Sequence, residues 1–330
     1  MEWRRFVEVR QRVVSEEIWT LIQFLFFPGL FFLLFLAFFT EWLDRKIVAK
    51  FQNRYGPLHV GPKGILQPIA DFIKLLSKED ITPSMADKVP FALVPVLLLA
   101  FTITPLFYIP IIGSDALVSF EGDLFIIMFL MSLISLLVFI GGWASTNRFG
   151  TVGSIRAGLQ MFAYEIPMNL AIIGPAVSAR SLSLSKIVEW QLCRFWNLFT
   201  QPIGFVILII CLMAHLQIVP FDIPEAESEI VGGWIVEFSG KKLALIRLAK
   251  DFEFVLASSL IVSLYLGGPY GPWYISPIVY LAKFFLCVFI LSNLRAAFAR
   301  YRIDHLLVGA WKYLTPLALL QICLVKILGV

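Results

Sequence analysis

Long apolar runs alternate with polar connections along this chain. Crossing a bilayer takes about 20 mostly apolar residues. Eight runs approach that length, at approximately residues 19–43, 89–112, 124–146, 155–179, 203–219, 244–266, 276–294 and 307–328. The alternating pattern of barrel strands is missing, so helices are left as the way to satisfy the backbone within lipid. We predict an all-α integral membrane protein with about eight transmembrane helices.

The connection between the first two runs predicts a helix of a different kind. From Ile65 onward, apolar residues recur at helical spacing, with charged residues at the other positions. The segment is too short and too charged to span a membrane, so we expect an amphipathic cytoplasmic helix in the interface. The pairs Gly56–Pro57 and Gly61–Pro62, which precede it, predict tight turns.

The polar segments between the runs define the domain organisation. We expect residues 1–330 to form one transmembrane domain, with an N-terminal arm at 1–18, a docking loop at 44–88 and an acidic loop at 220–243. None of these segments is long enough for a nucleotide-binding domain. Any redox cofactors would therefore be carried by partner subunits.

Composition and charge agree with a membrane protein. The chain is 59% hydrophobic and 15% charged, whereas soluble domains are about 25% charged. Basic residues concentrate in the 44–88 connection and at Arg295, Arg300 and Arg302, and the 113–123 connection has none. The positive-inside rule then predicts a multi-pass protein of the plasma membrane with both termini outside. Basic residues in the N-terminal arm and the fourth connection oppose this assignment mildly.

Cysteine and histidine spacing gives no metal motif. The four cysteines are far apart, without the C-x-x-C spacing of cluster or zinc ligands, and the three histidines are equally scattered. We expect this chain to bind no metal or cofactor itself. The Lys/Arg blocks that track nucleic-acid phosphates are also missing, so no nucleic-acid partner is predicted.

The stretch "PFDIPEAESEIVGGWIVEF" at 220–238 crowds acids without any lysine or arginine. Its carboxylates are Asp222, Glu225, Glu227, Glu229 and Glu237. The D-x-x-E spacing predicts a capping box that starts a helix, with Glu225 and Glu229 on one face. Clustered carboxylates at low dielectric cannot all ionise, so we expect them to share protons. The alternative is a capped, solvated acidic helix at the membrane surface.

Charged residues also lie within two of the apolar runs. Glu165 stands near the middle of the fourth run, where an acid is a functional candidate by default; the alternative is a neutral acid bonded to a neighbouring span. In the sixth run Arg247, Lys250 and Asp251 share a helix face, and an Arg247–Asp251 pair would lower their burial cost. These charges could instead lie at a helix end among lipid headgroups.

Several motifs carry a resemblance to a known family. The stretch "DRKIVAKFQNRYGPLHVGPKGILQPIADFIKLLSKED" at 44–80 and the acidic stretch at 220–238 both resemble signatures of the H-subunit family of NADH:quinone oxidoreductase (complex I). "GGWASTN" at 141–147, "AYEIP" at 163–167 and "RAAFARYRIDHLL" at 295–307 extend the match. The resemblance covers nearly the whole chain.

This resemblance implies a connecting subunit that is not catalytic alone. Such a subunit joins a soluble redox arm to antiporter-like membrane subunits. Carried over by position, the residues expected to couple protons are Glu165, Asp222, Glu225, Glu227, Glu229, Glu237, His215, Lys250 and Asp251. Those expected in arm docking or chamber lining are Asp44, Arg45, Arg54, Asp71, Lys74, Lys78, Glu79 and Arg295.

Three positions depart from the quinone-reducing pattern of that family. Asp44 replaces a glutamate, and His215 and Lys250 stand where acids are usual. This pattern is closer to the membrane anchor of the related membrane-bound hydrogenases and sulfur reductases. We therefore expect iron–sulfur and hydrogenase-large-subunit-like partners carrying iron–sulfur clusters and a nickel–iron or related centre, together with antiporter-like subunits and lipids.

Two other functions remain open from the sequence. The first is the quinone-chamber subunit of an NADH- or ferredoxin-quinone oxidoreductase. The second, from another class, is a stand-alone secondary ion transporter. Transporters often show paired broken helices in two halves, and no such repeat is visible in this sequence.

Overall fold

The computed structural model describes residues 21–272 and 274–328, in which all regular structure is helical, so the predicted all-α class is confirmed. The α-helices are α1 Leu30–Phe51, α2 Gln67–Ser77, α3 Lys88–Ile103, α4 Asp123–Ala144, α5 Arg148–Ala179, α6 Leu184–Cys193, α7 Asn197–Thr200, α8 Pro202–His215, α9 Glu227–Ile230, α10 Gly240–Tyr265, α11 Ser276–Ala297, α12 Ile303–Gly309 and α13 Thr315–Leu328. The predicted arm at 1–18 lies outside the described residues.

Five stretches of the described chain are long and apolar enough to cross a membrane. They are Leu21–Phe51, Lys88–Tyr108, Asp123–Ala144, Ser276–Ala297 and Ile303–Ile327. Helix α8 is apolar but has only 14 residues. Helices α5 and α10 are long enough, with 32 and 26 residues, but they are more polar. Helices therefore lie at all eight predicted places, and the count of eight spans stays a prediction.

Helix α10 lies at the centre of the bundle. It packs against α1, α2, α3 and α11, and every residue from Phe252 to Tyr265 is buried. A helix that is buried all round has no single apolar face. Between membrane helices the stabilising terms are close packing and interhelical polar contacts rather than escape from water. The charged residues of α10 must therefore find partners on neighbouring elements.

A second core forms around Trp234, which is fully buried. A Cβ atom at Gly142 of α4 would lie 2.8 Å from the Trp234 Cβ, and one at Gly153 of α5 would lie 2.6 Å from its backbone nitrogen. Glycine at these two positions lets both helices contact the acidic loop directly. Phe238 of that loop stacks on Phe91 of α3 with ring centroids 4.2 Å apart.

The acidic loop is not the capped helix that its spacing predicts. Asp222 precedes a 3-10 turn, Ile223–Glu225, without forming a side-chain cap. The backbone then changes direction at Ala226, which has φ −52° and ψ 92°, before the single turn of α9 begins. The capping-box prediction was wrong because Asp222 and Glu225 are instead engaged by cations from other segments.

The amphipathic helix of the first connection is confirmed as α2. The glycines before it, Gly61 and Gly64, have φ of +75° and +77°, which agrees with the predicted tight turns. The first apolar run was expected to end at residue 43, but α1 continues to Phe51. That extension places Asp44 and Arg45 on a rigid helix. Helix α6 was not predicted, because its apolar residues are too few to stand out.

We expect Gly233→Ala to destabilise the protein more than Gly113→Ala. Both glycines have positive φ, which costs other residues about 1–2 kcal/mol. At Gly233 the new Cβ would also lie 1.8 Å from the Pro224 carbonyl oxygen, whereas nothing lies within 4 Å of it at Gly113. Thermal unfolding of the detergent-solubilised protein measures both changes. Equal destabilisation would contradict this account of the loop packing.

Candidate functional site

A cavity of about 690 Å³, here called the central cavity, opens between α1, α10 and the acidic loop. Six acidic and five basic residues contribute to its wall: Glu41, Asp44, Asp222, Glu225, Glu227 and Asp251, with Arg45, Arg247, Lys250, Arg295 and Arg300. Residues predicted for proton coupling and residues predicted for docking therefore line one space. Opposite charges are nearly balanced within it.

Helix α1 supplies one wall of the central cavity. Arg45 donates hydrogen bonds to Glu41, one turn earlier on α1, and to Asp71 of α2 over 2.7 Å. The buried Asp44 accepts hydrogen bonds from Arg295 and, over 2.7 Å, from Ser292 of α11. Asp44 and Arg45 therefore tie α1 to two other helices while facing the cavity.

Helix α10 supplies the opposite wall. Lys250 donates a hydrogen bond to Glu225 of the acidic loop, and the indole Nε1 of Trp234 donates to the same carboxylate over 2.9 Å. Asp251 is hydrogen-bonded to Glu41 of α1. Two carboxyl groups in direct contact can share a single proton. Among the described residues, the ion pairs of α10 involve Lys242, Lys250 and Glu253, and the predicted Arg247–Asp251 pair is not among them.

Two other acids of the loop, Asp222 and Glu229, have arginine partners from distant parts of the chain. The Arg300 Nε lies 3.2 Å from the Asp222 Oδ1, and its Nη1 lies 3.8 Å from the Glu229 Oε1. Arg156 of α5 also binds Glu229. The hydrogen bond from Arg156 holds the pKa of Glu229 below its ordinary value. The expected repulsion among these loop acids is therefore replaced by pairing, and proton sharing within the loop is not supported at Glu229.

A second cavity, of about 390 Å³, adjoins the first and shares Asp44, Arg45 and Arg295 with it. Arg54 lines this smaller space. Beside it, partial burial would raise the pKa of Asp71, but hydrogen bonds from Arg45 and Gln67 outweigh that effect and lower it. The other predicted docking residues, Lys74, Lys78 and Glu79, lie exposed near the end of α2.

A chain of polar groups leads from α10 into the bundle. The buried His215, at the end of α8, has its Nε2 atom 3.2 Å from the Glu253 Oε1. Its Nδ1 atom lies 3.1 Å from the Tyr164 hydroxyl, which contacts the Ser135 hydroxyl at 2.6 Å. Hydrogen bonds join the groups on α8, α5 and α4, and the 3.2 Å approach of Glu253 to His215 adds α10.

Glu165 is the residue after Tyr164 on α5. It accepts a hydrogen bond from Ser132, which precedes Ser135 by one turn on α4. Glu165 is half-buried, and its neighbours Phe162 and Ile166 are exposed. The acid thus lies between the buried polar groups and the outer surface of the bundle.

Two predicted coupling residues lie apart from this chain. Glu237 is half-buried and accepts a hydrogen bond from Asn147 at the start of α5. Glu227 is exposed at the rim of the central cavity. The structure therefore separates Glu237 from the other four acids of the loop.

Several residues of the site were missed from the sequence. Glu41 and Glu253 are acids within predicted spans, so the reasoning that selected Glu165 would also have selected them. Nothing in the sequence distinguishes Tyr164 as a site residue, because a tyrosine next to an acidic residue is common. Arg156 and Arg300 could not be assigned as partners, since they are more than 70 positions from the acids they bind.

Comparison with known proteins covers nearly the whole described chain. The family model "NADH dehydrogenase" matches residues 24–326. The NADH-quinone oxidoreductase H subunit of Bacillus mycoides (strain KBAB4) is 40% identical over 330 residues, covering 95% of this chain and 96% of the relative. The second H subunit of Rhizobium meliloti (strain 1021) is 39% identical over 301 residues, covering 88% and 92%.

We expect the Lys250–Glu225 pair to couple by about 1–2 kcal/mol in a double-mutant cycle. Lys250→Met alone leaves a carboxylate without its cation, so it should destabilise the protein more than Lys250→Met combined with Glu225→Gln. Both side chains are about a quarter exposed, at 25% and 21%, which keeps the effect below that of a fully buried pair. Denaturant unfolding in detergent measures the cycle.

The exposed Lys186–Glu121 pair is the matched control for that cycle. Its nitrogen and oxygen lie 2.7 Å apart, but the side chains are 57% and 75% exposed. Solvent screens such pairs strongly, so no measurable coupling is expected there. Equal coupling in the two cycles would mean that the Lys250 contact contributes no more than a surface pair.

Proposed function

The chain belongs to the H-subunit family of NADH-quinone oxidoreductase, and from that membership we propose that it is the connecting membrane subunit of a complex-I-like respiratory complex. In this role it anchors a soluble redox arm and couples electron transfer there to translocation of protons or sodium ions. It is not catalytic alone, and it carries no redox cofactor of its own.

The observation that carries this proposal is the buried polar chain of Glu253, His215, Tyr164 and Ser135, which begins one turn after Lys250 of the cavity wall and includes the residue that precedes Glu165. Lys250 at the cavity wall and Glu253, one turn further along α10, are on one helix. From Glu253 the contacts run through His215 and Tyr164, and Glu165 is the next residue of α5. Groups that both donate and accept hydrogen bonds can pass a proton stepwise, so the chain supports coupling through buried acids.

The wall of the central cavity favours one type of redox arm. Binding sites for small organic molecules are mostly apolar, with a few convergent polar groups. A wall with six acids and five cations suits water and ions better than a quinone ring and its apolar tail. Together with His215 and Lys250 in place of the usual acids, this supports an anchor of the membrane-bound hydrogenase or sulfur-reductase type.

A second candidate is the quinone-chamber subunit of an NADH- or ferredoxin-quinone oxidoreductase. The relatives named above are subunits of NADH-quinone oxidoreductases, and the first-loop motif that carries the resemblance is present. Family membership disfavours the stand-alone transporter, because the relatives are subunits of a larger assembly.

The expected partners follow from the proposed role. They are iron–sulfur and hydrogenase-large-subunit-like proteins of the arm, which bring iron–sulfur clusters and a nickel–iron or related centre, and antiporter-like membrane subunits. Arg54, Lys74, Lys78 and Glu79 are exposed on the face where the arm would dock. In the proposed orientation this face is cytoplasmic and both termini lie outside the plasma membrane.

Composition of the native complex tests the type of arm. The complex is purified in mild detergent through a tag on this chain, and its subunits and metals are identified. A nickel–iron subunit, with turnover insensitive to quinone-site ligands, supports the hydrogenase type. A flavin subunit with ligand-sensitive turnover supports the quinone type, and recovery of this chain alone contradicts both.

Glu165→Gln should reduce ion translocation by about tenfold or more while leaving electron transfer and assembly intact. A glutamine keeps the size and can accept the Ser132 hydrogen bond, but it cannot release a proton, and positioned proton-transfer groups contribute about 10²-fold or more to rate. Proteoliposomes with a pH-sensitive or sodium-sensitive dye measure the change. Glu189→Gln, at an exposed acid of α6, is the control, and unchanged pumping in Glu165→Gln would refute the assignment.

Asp71→Ala should weaken attachment of the soluble arm. It removes the carboxylate that accepts hydrogen bonds from Arg45 and Gln67, so α2 would lose its polar link to α1. The ratio of arm subunits to this chain after gel filtration is the measurement. Asp115→Asn, at an exposed carboxylate between α3 and α4, should leave the ratio unchanged, and a normal ratio in Asp71→Ala would contradict the docking role.

A further inference from the structure

A third cavity, of about 510 Å³, lies far from the acidic site and is lined by aromatic residues and one arginine. It is formed by the end of α6, the segment leading into α7 and the connection after α10. Helix α8 begins here and ends at His215, so about 20 Å of helix separates this cavity from the polar chain. We call it the aromatic pocket.

Large aromatic side chains of the aromatic pocket are left uncovered by this chain. Phe195 is 72% exposed, Phe199 71% and Tyr270 59%. Trp196 stacks on Phe199 with ring centroids 6.2 Å apart. Aromatic residues at the ends of membrane helices typically lie at the boundary between hydrocarbon and headgroups. The aromatic pocket therefore lies where lipid headgroups and the first acyl carbons meet the protein.

Arg194 supplies an unpaired charge at this boundary. Its guanidinium carbon lies 5.3 Å from the centre of the Trp190 ring. Within the described part of the chain it makes no hydrogen bond, and no carboxylate lies within ion-pair distance of it. A guanidinium offers five donors in a planar fork that matches phosphate oxygens. The structure thus provides a phosphate-binding group directly beside an apolar surface.

Lys283 lies against Trp196, one of the residues that line the aromatic pocket. Its ammonium lies 4.6 Å from the centre of the Trp196 ring. It donates hydrogen bonds to the carbonyl oxygens of Leu266 and Gly268, over 2.7 and 2.8 Å, at the end of α10. Lys283 is therefore held in place behind the tryptophan. Because Trp196 and Arg194 line the same cavity, this ammonium adds positive charge beside it, which favours a ligand with net negative charge over a zwitterionic one.

We propose that the aromatic pocket is a binding site for an anionic phospholipid. The phosphodiester would accept hydrogen bonds from the Arg194 guanidinium, and the acyl chains would lie along Phe195 and Phe199. A phospholipid fits both halves of the surface, because it joins an anionic phosphate to hydrocarbon. A free phosphate ion would leave the exposed aromatic faces uncovered.

Photo-crosslinking to the native complex tests this site. The purified complex is placed in phosphatidylcholine nanodiscs with a trace of photoactivatable phosphatidylglycerol, and crosslinked peptides are identified by mass spectrometry. We expect crosslinks within 191–199, competed by unlabelled phosphatidylglycerol but not by added phosphatidylcholine. Arg194→Ala should lower the yield about fivefold, since one basic residue near a membrane surface contributes about that factor in affinity for anionic lipid.

Lys186→Ala is the matched control, because Lys186 is an exposed cation of α6, the helix that ends just before Arg194, and it is already paired with Glu121. It should leave the crosslink yield unchanged. Equal loss in both variants, or equal competition by the two unlabelled lipids, would overturn the proposal. The competition arm uses the unaltered protein, so it decides the question even if Arg194→Ala fails to assemble. Lipid crosslinks elsewhere in the complex but none at 191–199 would overturn it too, by showing that lipid does not occupy this surface.

Discussion

The structure depends on matching the charges that α10 carries through the middle of the bundle. Lys250, Asp251 and Glu253 lie within one turn of a helix that is surrounded by other helices. An unmatched ion in such surroundings costs several kcal/mol. Lys250 meets Glu225 of the acidic loop, and Glu253 lies against His215 of α8. Asp251 meets Glu41 of α1, a contact of two carboxyl groups that requires a shared proton, and Arg45 and Arg247 are its attractive neighbours. The contacts that satisfy these charges also fix the positions of three segments around the central cavity.

The acidic loop is held by packing as much as by charge. Trp234 fills the space left by glycines of α4 and α5 and donates its indole hydrogen to Glu225. Gln160 of α5 donates to the backbone oxygens of Ala214 and Phe221 over 2.7 and 2.8 Å, which joins the end of α8 to the start of the loop. These contacts hold the carboxylates of the loop in place, although the loop does not form a regular helix.

Pairing changes what these acids can do. Asp222, Glu225 and Glu229 of the loop meet arginine or lysine, so charge in the central cavity is nearly balanced, and a carboxyl pair occurs where Glu41 meets Asp251. The neutral hydroxyl groups and the imidazole lie deeper, between Glu253 and Glu165. Charged groups therefore line the central cavity, whereas hydroxyl groups and an imidazole lie inside the bundle.

The sequence by itself determined the all-α class, the places of the eight apolar helices and the amphipathic α2, because each follows from local periodicity and from the length of an apolar run. It also identified most of the charged residues of the site, since acids in an apolar setting are conspicuous. Only the tertiary structure decided which charges meet. Arg156 and Arg300, which bind the acidic loop, are distant from it in sequence. Helix α1 is long enough to place Asp44 and Arg45 at the cavity. Most of the loop is not α-helical, which allows its acids to reach these partners. Which charged residues pair depends on how the helices pack against one another, and this packing cannot be predicted from a local pattern of residues.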